Sequence, residues 1–149
     1  MKDPKRLSRV KPNLTLARRH LQKSEYNYIV LQTLEEHDMR DWALNAGFYA
    51  IYHCFLAILA KYGYASRNQA CTITALQTLI AEKAVTLERD LIAQFDTLDP
   101  DTHASSSTIR ASRELSTYGV ETSIDLGQLK TLKELILTVQ RETIRILAT

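Results

Sequence analysis

The segment from Asp38 to Tyr62 restricts the possible folds more than any other part of the chain. It reads as a helix that is apolar nearly all the way round, and such a helix has to be buried. Small residues Ala43, Ala46, Gly47, Ala50, Ala57 and Ala60 thread through it and let neighbouring helices come close. Asp38 or Asp41 is placed to cap its start. Gly63 stands where a left-handed residue is expected to close it. The most apolar run, Phe48 to Ala60, is too short to span a bilayer and is interrupted by His53. A central core helix is therefore expected, with no membrane span.

The rest of the chain supplies helices to pack around it. Leu14, Ala17, Leu21, Tyr28 and Leu31 recur at helical spacing and predict a first helix over 13–36, capped by Asn13. A third helix is predicted over 68–83, with Ile73, Leu76, Leu79 and Ile80 inward. Thr86 is expected to cap a fourth, whose apolar face is Leu91, Ile92, Phe95 and Leu98. Asp99-Pro100-Asp101 ends it. A short helical segment over 108–118, closed by Gly119, precedes a last helix over 126–147 with Leu129, Leu132, Ile136 and Val139 as its stripe. Asp125 and Gln128 resemble a capping box at its start. No segment alternates strictly, so no sheet is expected. The predicted fold is all-α, an up-down bundle of four or five helices.

At 149 residues the chain suits one domain, residues 13–149, preceded by a basic and flexible arm at 1–12. The net charge of +2 gives no global drive toward nucleic acid, but the charge is uneven. Lys2, Lys5, Arg6, Arg9, Lys11, Arg18, Arg19 and Lys23 crowd the start, where they can meet water, RNA phosphates or an acidic partner. Cys54 and Cys71 form no CxxC pair and read as buried free thiols, consistent with a reducing cytosol. No apolar segment follows the basic start, so no signal peptide is read and a cytoplasmic location is expected.

Familiar catalytic patterns are missing. There is no Gly-rich phosphate loop, HExxH, nucleophile elbow or zinc-finger spacing. The histidines at 20, 37, 53 and 103 show no metal-ligand pattern, and neither a metal nor a cofactor is expected. Two polar groupings stand out. Asn45, Tyr49 and His53 lie four residues apart and share one face of the central helix, with Tyr52 adjacent. They form either a satisfied part of the core or a pocket wall; His53 itself is read as structural, since no second ligand lies at metal spacing. The other grouping, Arg110 to Gly119, places Arg110 and Arg113 three apart beside Glu114 and Tyr118. That geometry suits an anion, a phosphate or a partner's carboxylate.

Asp41-Trp42-Ala43, Ala46-Gly47-Phe48-Tyr49-Ala50-Ile51-Tyr52-His53 and Ala57-Ile58-Leu59-Ala60-Lys61-Tyr62-Gly63 resemble the second helix of HEPN domains, and the flanking helices follow in the family's order. The resemblance covers about residues 13–145. Many HEPN proteins are metal-independent ribonucleases that act as dimers through an arginine, four to six residues and a histidine. In this chain Arg113 and the polar Glu114 are followed by Tyr118 where the histidine would stand. The resemblance therefore implies a non-canonical member: a homodimeric module binding RNA or a nucleotide through Arg110, Arg113, Glu114, Tyr118, Asn45 and Tyr49. It also implies a role as one half of a toxin-antitoxin or nucleotidyltransferase-associated pair. The alternatives are a ribonuclease toxin in which Arg113 and Tyr118 act as a degenerate motif, and a helical partner that only binds another protein.

Overall fold

A computed structural model describes residues 7–96 and 126–149. These residues form five helices and one small sheet: β1 (Leu7–Arg9), α1 (Leu14–Glu36), α2 (Arg40–Tyr62), β2 (Tyr64–Ser66), α3 (Gln69–Ala81), α4 (Arg89–Asp96) and α5 (Leu126–Leu147). The chain is mostly helical, as the periodicity predicts. The predicted segment 108–118 and the cap Asp125 lie outside the described residues, as does Leu98.

Capping chemistry explains three of the helix ends. Asn13 accepts from the Leu16 amide at 2.9 Å, and Asn68 accepts from the Cys71 amide at 2.8 Å. Gly63 closes α2 with φ at 83°, the left-handed conformation expected of it. Two expected caps are corrected. Asp38 does not cap α2. Its backbone turns left-handed, with φ at 60°, and its amide bonds back to the Glu35 carbonyl at 3.0 Å, so it serves the end of α1. Its carboxylate pairs with Arg40 Nε at 3.0 Å, and Asp41 falls inside the first turn of α2 rather than at its cap. Thr86 lies too far ahead of α4 to cap it, and its carbonyl instead accepts from Arg145 of α5.

The expectation of no sheet is also corrected, because residues 7–9 of the arm form a strand. β1 pairs antiparallel with β2, Arg9 opposite Tyr64. The left-handed turn at Gly63 sends the chain back along the arm, and its carbonyl accepts from the Val10 amide at 2.8 Å. A Cβ at residue 63 would lie 2.5 Å from the Val10 carbonyl oxygen, so the ladder needs glycine there.

The short link at 37–39 makes α1 and α2 an antiparallel hairpin. The Asn13 amide bonds to the Ala60 carbonyl at 2.9 Å, His20 meets His53, and Ser24 meets Cys54. α5 runs antiparallel to α1, with Gln140 at Ser24 and Lys133 paired to Glu35 at 2.7 Å. It runs parallel to α2: Leu132 packs at Gly47, and Lys61 donates to the Thr149 carbonyl at 2.8 Å. α1 is thus antiparallel to both α2 and α5.

α2 is the core. Ala43, Ala50, Ile51, Cys54, Phe55, Ala57 and Ile58 have no exposed surface. Taken whole, α2 is long and apolar enough to cross a membrane, a property shared by the core helices of soluble proteins; 67% of its most apolar window is buried within the fold. Phe95 of α4 wedges against it, stacked on Phe48 at 5.1 Å and edge-on to Phe55 at 4.9 Å.

One polar knot sits inside this apolar packing. Gln140 Nε2 donates to Ser24 Oγ at 3.0 Å, and Ser24 Oγ lies 3.1 Å from Cys54 Sγ. The three residues come from α5, α1 and α2, and they fix the rotation of those helices about one another. Burial pushes the Cys54 thiol up to about 11, so it remains a neutral thiol that packs and hydrogen-bonds. Ser24→Ala strips the buried Gln140 amide of its partner. It should lower unfolding stability by about 1–3 kcal/mol in urea denaturation. Adding Gln140→Met should recover part of that loss by removing the orphaned donor.

Candidate functional site

α2 buries most of its surface but leaves one stripe in contact with solvent. Trp42 and Tyr49 lie seven residues apart on it and are 56% and 48% exposed. Asn45 lies between them and His53 continues the stripe, both half-buried. The antiparallel α1 brings Leu16, His20 and Lys23 alongside. Leu16 is 41% exposed, a further apolar residue left open on this side.

His20 and His53 meet at the centre of this face. Their Nδ1 atoms are 3.0 Å apart and their rings stack with centroids at 5.3 Å. Burial holds His20 below its ordinary range. His53 is pushed down to about 4, mainly by burial and then by the charges of His20 and Lys23. At neutral pH both rings are therefore neutral, and one Nδ1–H donates to the other's lone pair.

Beyond His20 the face opens into a cleft of about 490 Å³, whose lining includes Lys11, Asn13, Leu16, Leu56 and Ser66. Val10, just past β1, and Tyr64 and Ala65 of β2 form its far wall. Arg9 stiffens that wall: its guanidinium donates to Tyr64 Oη at 2.9 Å and lies 4.4 Å above the ring. The chain before the α1–α2 turn is rich in cations, while the turn beside Trp42 carries Glu35, Glu36, Asp38 and Asp41. From residue 7 to residue 34, Glu25 is the sole acid against Arg9, Lys11, Arg18, Arg19 and Lys23.

The structure places the predicted residues unevenly. Asn45 and Tyr49 share one face of α2 with His53, and that face is open to solvent at Tyr49. Asn45 Nδ2 donates to the Asp41 carbonyl at 3.2 Å, and Tyr49 sits edge-on to Phe48 at 5.1 Å. Tyr52 turns away from the stripe and stacks on Phe95 at 6.1 Å. Arg110, Arg113, Glu114 and Tyr118 lie outside the described residues. His53 is not the isolated histidine that its sequence surroundings imply, because His20 reaches it across the hairpin.

Sequence reasoning missed His20, Lys23 and Trp42 as members of one surface. A signal was present. Trp42, Tyr49 and Leu56 recur every seven residues, and a tight hairpin pairs residues at similar distances from its turn, which brings 20 close to 53. No family model matches the chain, and no curated protein matches it.

The proton shared across the hairpin is measurable. At pH 7 the imidazole 15N spectrum should show one ring of the pair as the Nδ1–H tautomer and neither ring doubly protonated. His20→Gln should remove the shared hydrogen bond and move the His53 Nδ1 resonance toward that of a solvated ring. An Nδ1 shift for His53 that is indifferent to His20→Gln would contradict the contact.

Proposed function

We propose that the chain is a HEPN-like helical module that binds single-stranded RNA along the α1–α2 face. The observation that carries this reading is the exposure of Trp42 and Tyr49 on a face whose His53 end lies beside Lys23. Aromatic rings open to solvent offer stacking platforms to unpaired bases, whose faces are all alike to them. By the helical rise, Trp42 and Tyr49 stand about 10 Å apart along α2, a span suited to bases of one strand rather than one small ligand. Lys23 beside the His pair and Lys11 at the cleft supply contacts for the backbone phosphates. Neutral histidines in the middle of the face offer hydrogen bonding to base edges or 2′-hydroxyls.

The ordering of the helices and the alanine-rich α2 ending at Gly63 support the HEPN-like reading. Under it, Arg110, Arg113 and Tyr118 add an anion contact, and two copies of the chain join in a homodimer. A nucleotidyltransferase-type partner belongs to the same reading.

A second reading, a surface for a protein partner, draws on Met39, which is 51% exposed near Trp42 at the start of α2. Methionine and aromatic side chains are enriched at protein interfaces.

The test is fluorescence anisotropy with a labelled ribo-oligonucleotide of about ten residues. Trp42→Ala and Tyr49→Ala should each weaken binding by about five- to a hundredfold, the range expected for loss of one stacked base. Lys23→Gln should weaken it less and lower the slope of log affinity against log salt by about one. Binding that survives both aromatic substitutions would sink the RNA reading. Self-association lost on Trp42→Ala, without RNA binding in the parent chain, would favour the protein partner.

A further inference from the structure

We infer that His20 and His53 form a chelating site for a divalent transition metal of the Cu2+ or Ni2+ kind. The inference goes beyond the RNA-binding reading and does not depend on it.

The argument begins with the two Nδ1 atoms, 3.0 Å apart across the α1–α2 hairpin. With metal–imidazole bonds of about 2.05 Å, nitrogens 3.0 Å apart subtend about 94° at the ion. That is near the right angle of square-planar and octahedral sites and well short of the tetrahedral angle that zinc prefers. The ring torsion of histidine is soft. A modest turn of each ring takes both lone pairs off the line between the nitrogens and onto a common point.

The protonation state also fits. Burial keeps both rings neutral, as metal ligation requires. In the metal-free pair, one ring is held as the Nδ1–H tautomer in order to donate to the other. Chelation moves that proton to Nε2 of the same ring, so the ion replaces a shared proton and no net proton leaves the protein.

The donor set decides which cations are excluded. Among the described residues, no group of three or more histidine, cysteine or acidic side chains gathers around a point. The described residues thus supply two nitrogens and no carboxylate, which disfavours Mg2+ and Ca2+. Between Zn2+ and Cu2+, both the bite angle and the Irving–Williams order favour Cu2+. The remaining coordination positions are left to water or to an anionic group entering the cleft that His20 lines. One feature of the face opposes the ion: Lys23, whose charge reaches His53.

The test uses the full chain in a non-coordinating buffer, titrated with Cu2+ and followed by calorimetry and electron paramagnetic resonance. One Cu2+ per chain should bind with the nitrogen hyperfine pattern of two imidazoles, and Zn2+ should bind more weakly. His20→Gln and His53→Gln should each weaken binding at least tenfold. Lys23→Gln should tighten it several-fold, because it removes a repelling charge and leaves both ligands in place. Cu2+ bound equally well by both glutamine variants would place the ion on His37, His103 or the terminal amine and overturn the site. Circular dichroism checks that those variants fold. Lys23 is exposed and lies outside the pair, so unchanged affinity in Lys23→Gln would count against the site even if a glutamine variant failed to fold.

Discussion

A methyl group at residue 47 would press to 2.6 Å from Leu132 and 2.9 Å from Leu31, both of them fully buried. Glycine at that position therefore lets α1, α2 and α5 meet at close range, and the rest of the fold follows from that approach. An apolar helix of 23 residues cannot leave its sides in water. α1 and α5 cover two of them, and Phe95 of α4 with α3 covers more. What remains is the stripe through Trp42, Tyr49 and His53. The candidate site is thus the part of the core helix that its own described neighbours do not cover, and its aromatic character follows from that position.

The polar contacts divide along the same line. On the α5 side of the hairpin, Ser24, Cys54 and Gln140 satisfy one another in a fully enclosed setting, where an unpaired donor is costly. On the open side, His20 and His53 pair with one another while water still reaches them. The first arrangement locks the rotation of three helices. The second leaves lone pairs and N–H groups within reach of a ligand. Both groupings sit at the same level of the hairpin, because Ser24 follows His20 by one helical turn and Cys54 directly follows His53.

Much of the fold was legible because it rests on local rules. Helical periodicity located α1, α2, α3 and α5. Asn13 and Gly63 marked helix ends through chemistry that operates within four residues. The errors came from tertiary demands. Asp38 looked like a cap for α2, but the end of α1 claims it first. Thr86 looked like a cap for α4, but its carbonyl answers Arg145 from the far end of the chain. β1 was invisible because three residues without alternation carry no strand signal; the ladder exists because Gly63 turns the chain back onto the arm. Within the site, Asn45, Tyr49 and His53 were visible as one face of one helix. The pairing with His20, 33 residues away, needs the hairpin to be folded in space before it appears.

We propose that the open face of the core helix receives a single strand of RNA. Trp42 is the chain's sole tryptophan and stands on that face, so its fluorescence reports on it without a label. In the free protein its emission should be that of an indole in water and readily quenched by iodide. Added ribo-oligonucleotide should quench it further to saturation and protect it from iodide, with the effect reversed by salt. An emission already shielded from iodide in the free protein, and unmoved by RNA at low salt, would contradict an open, RNA-binding face.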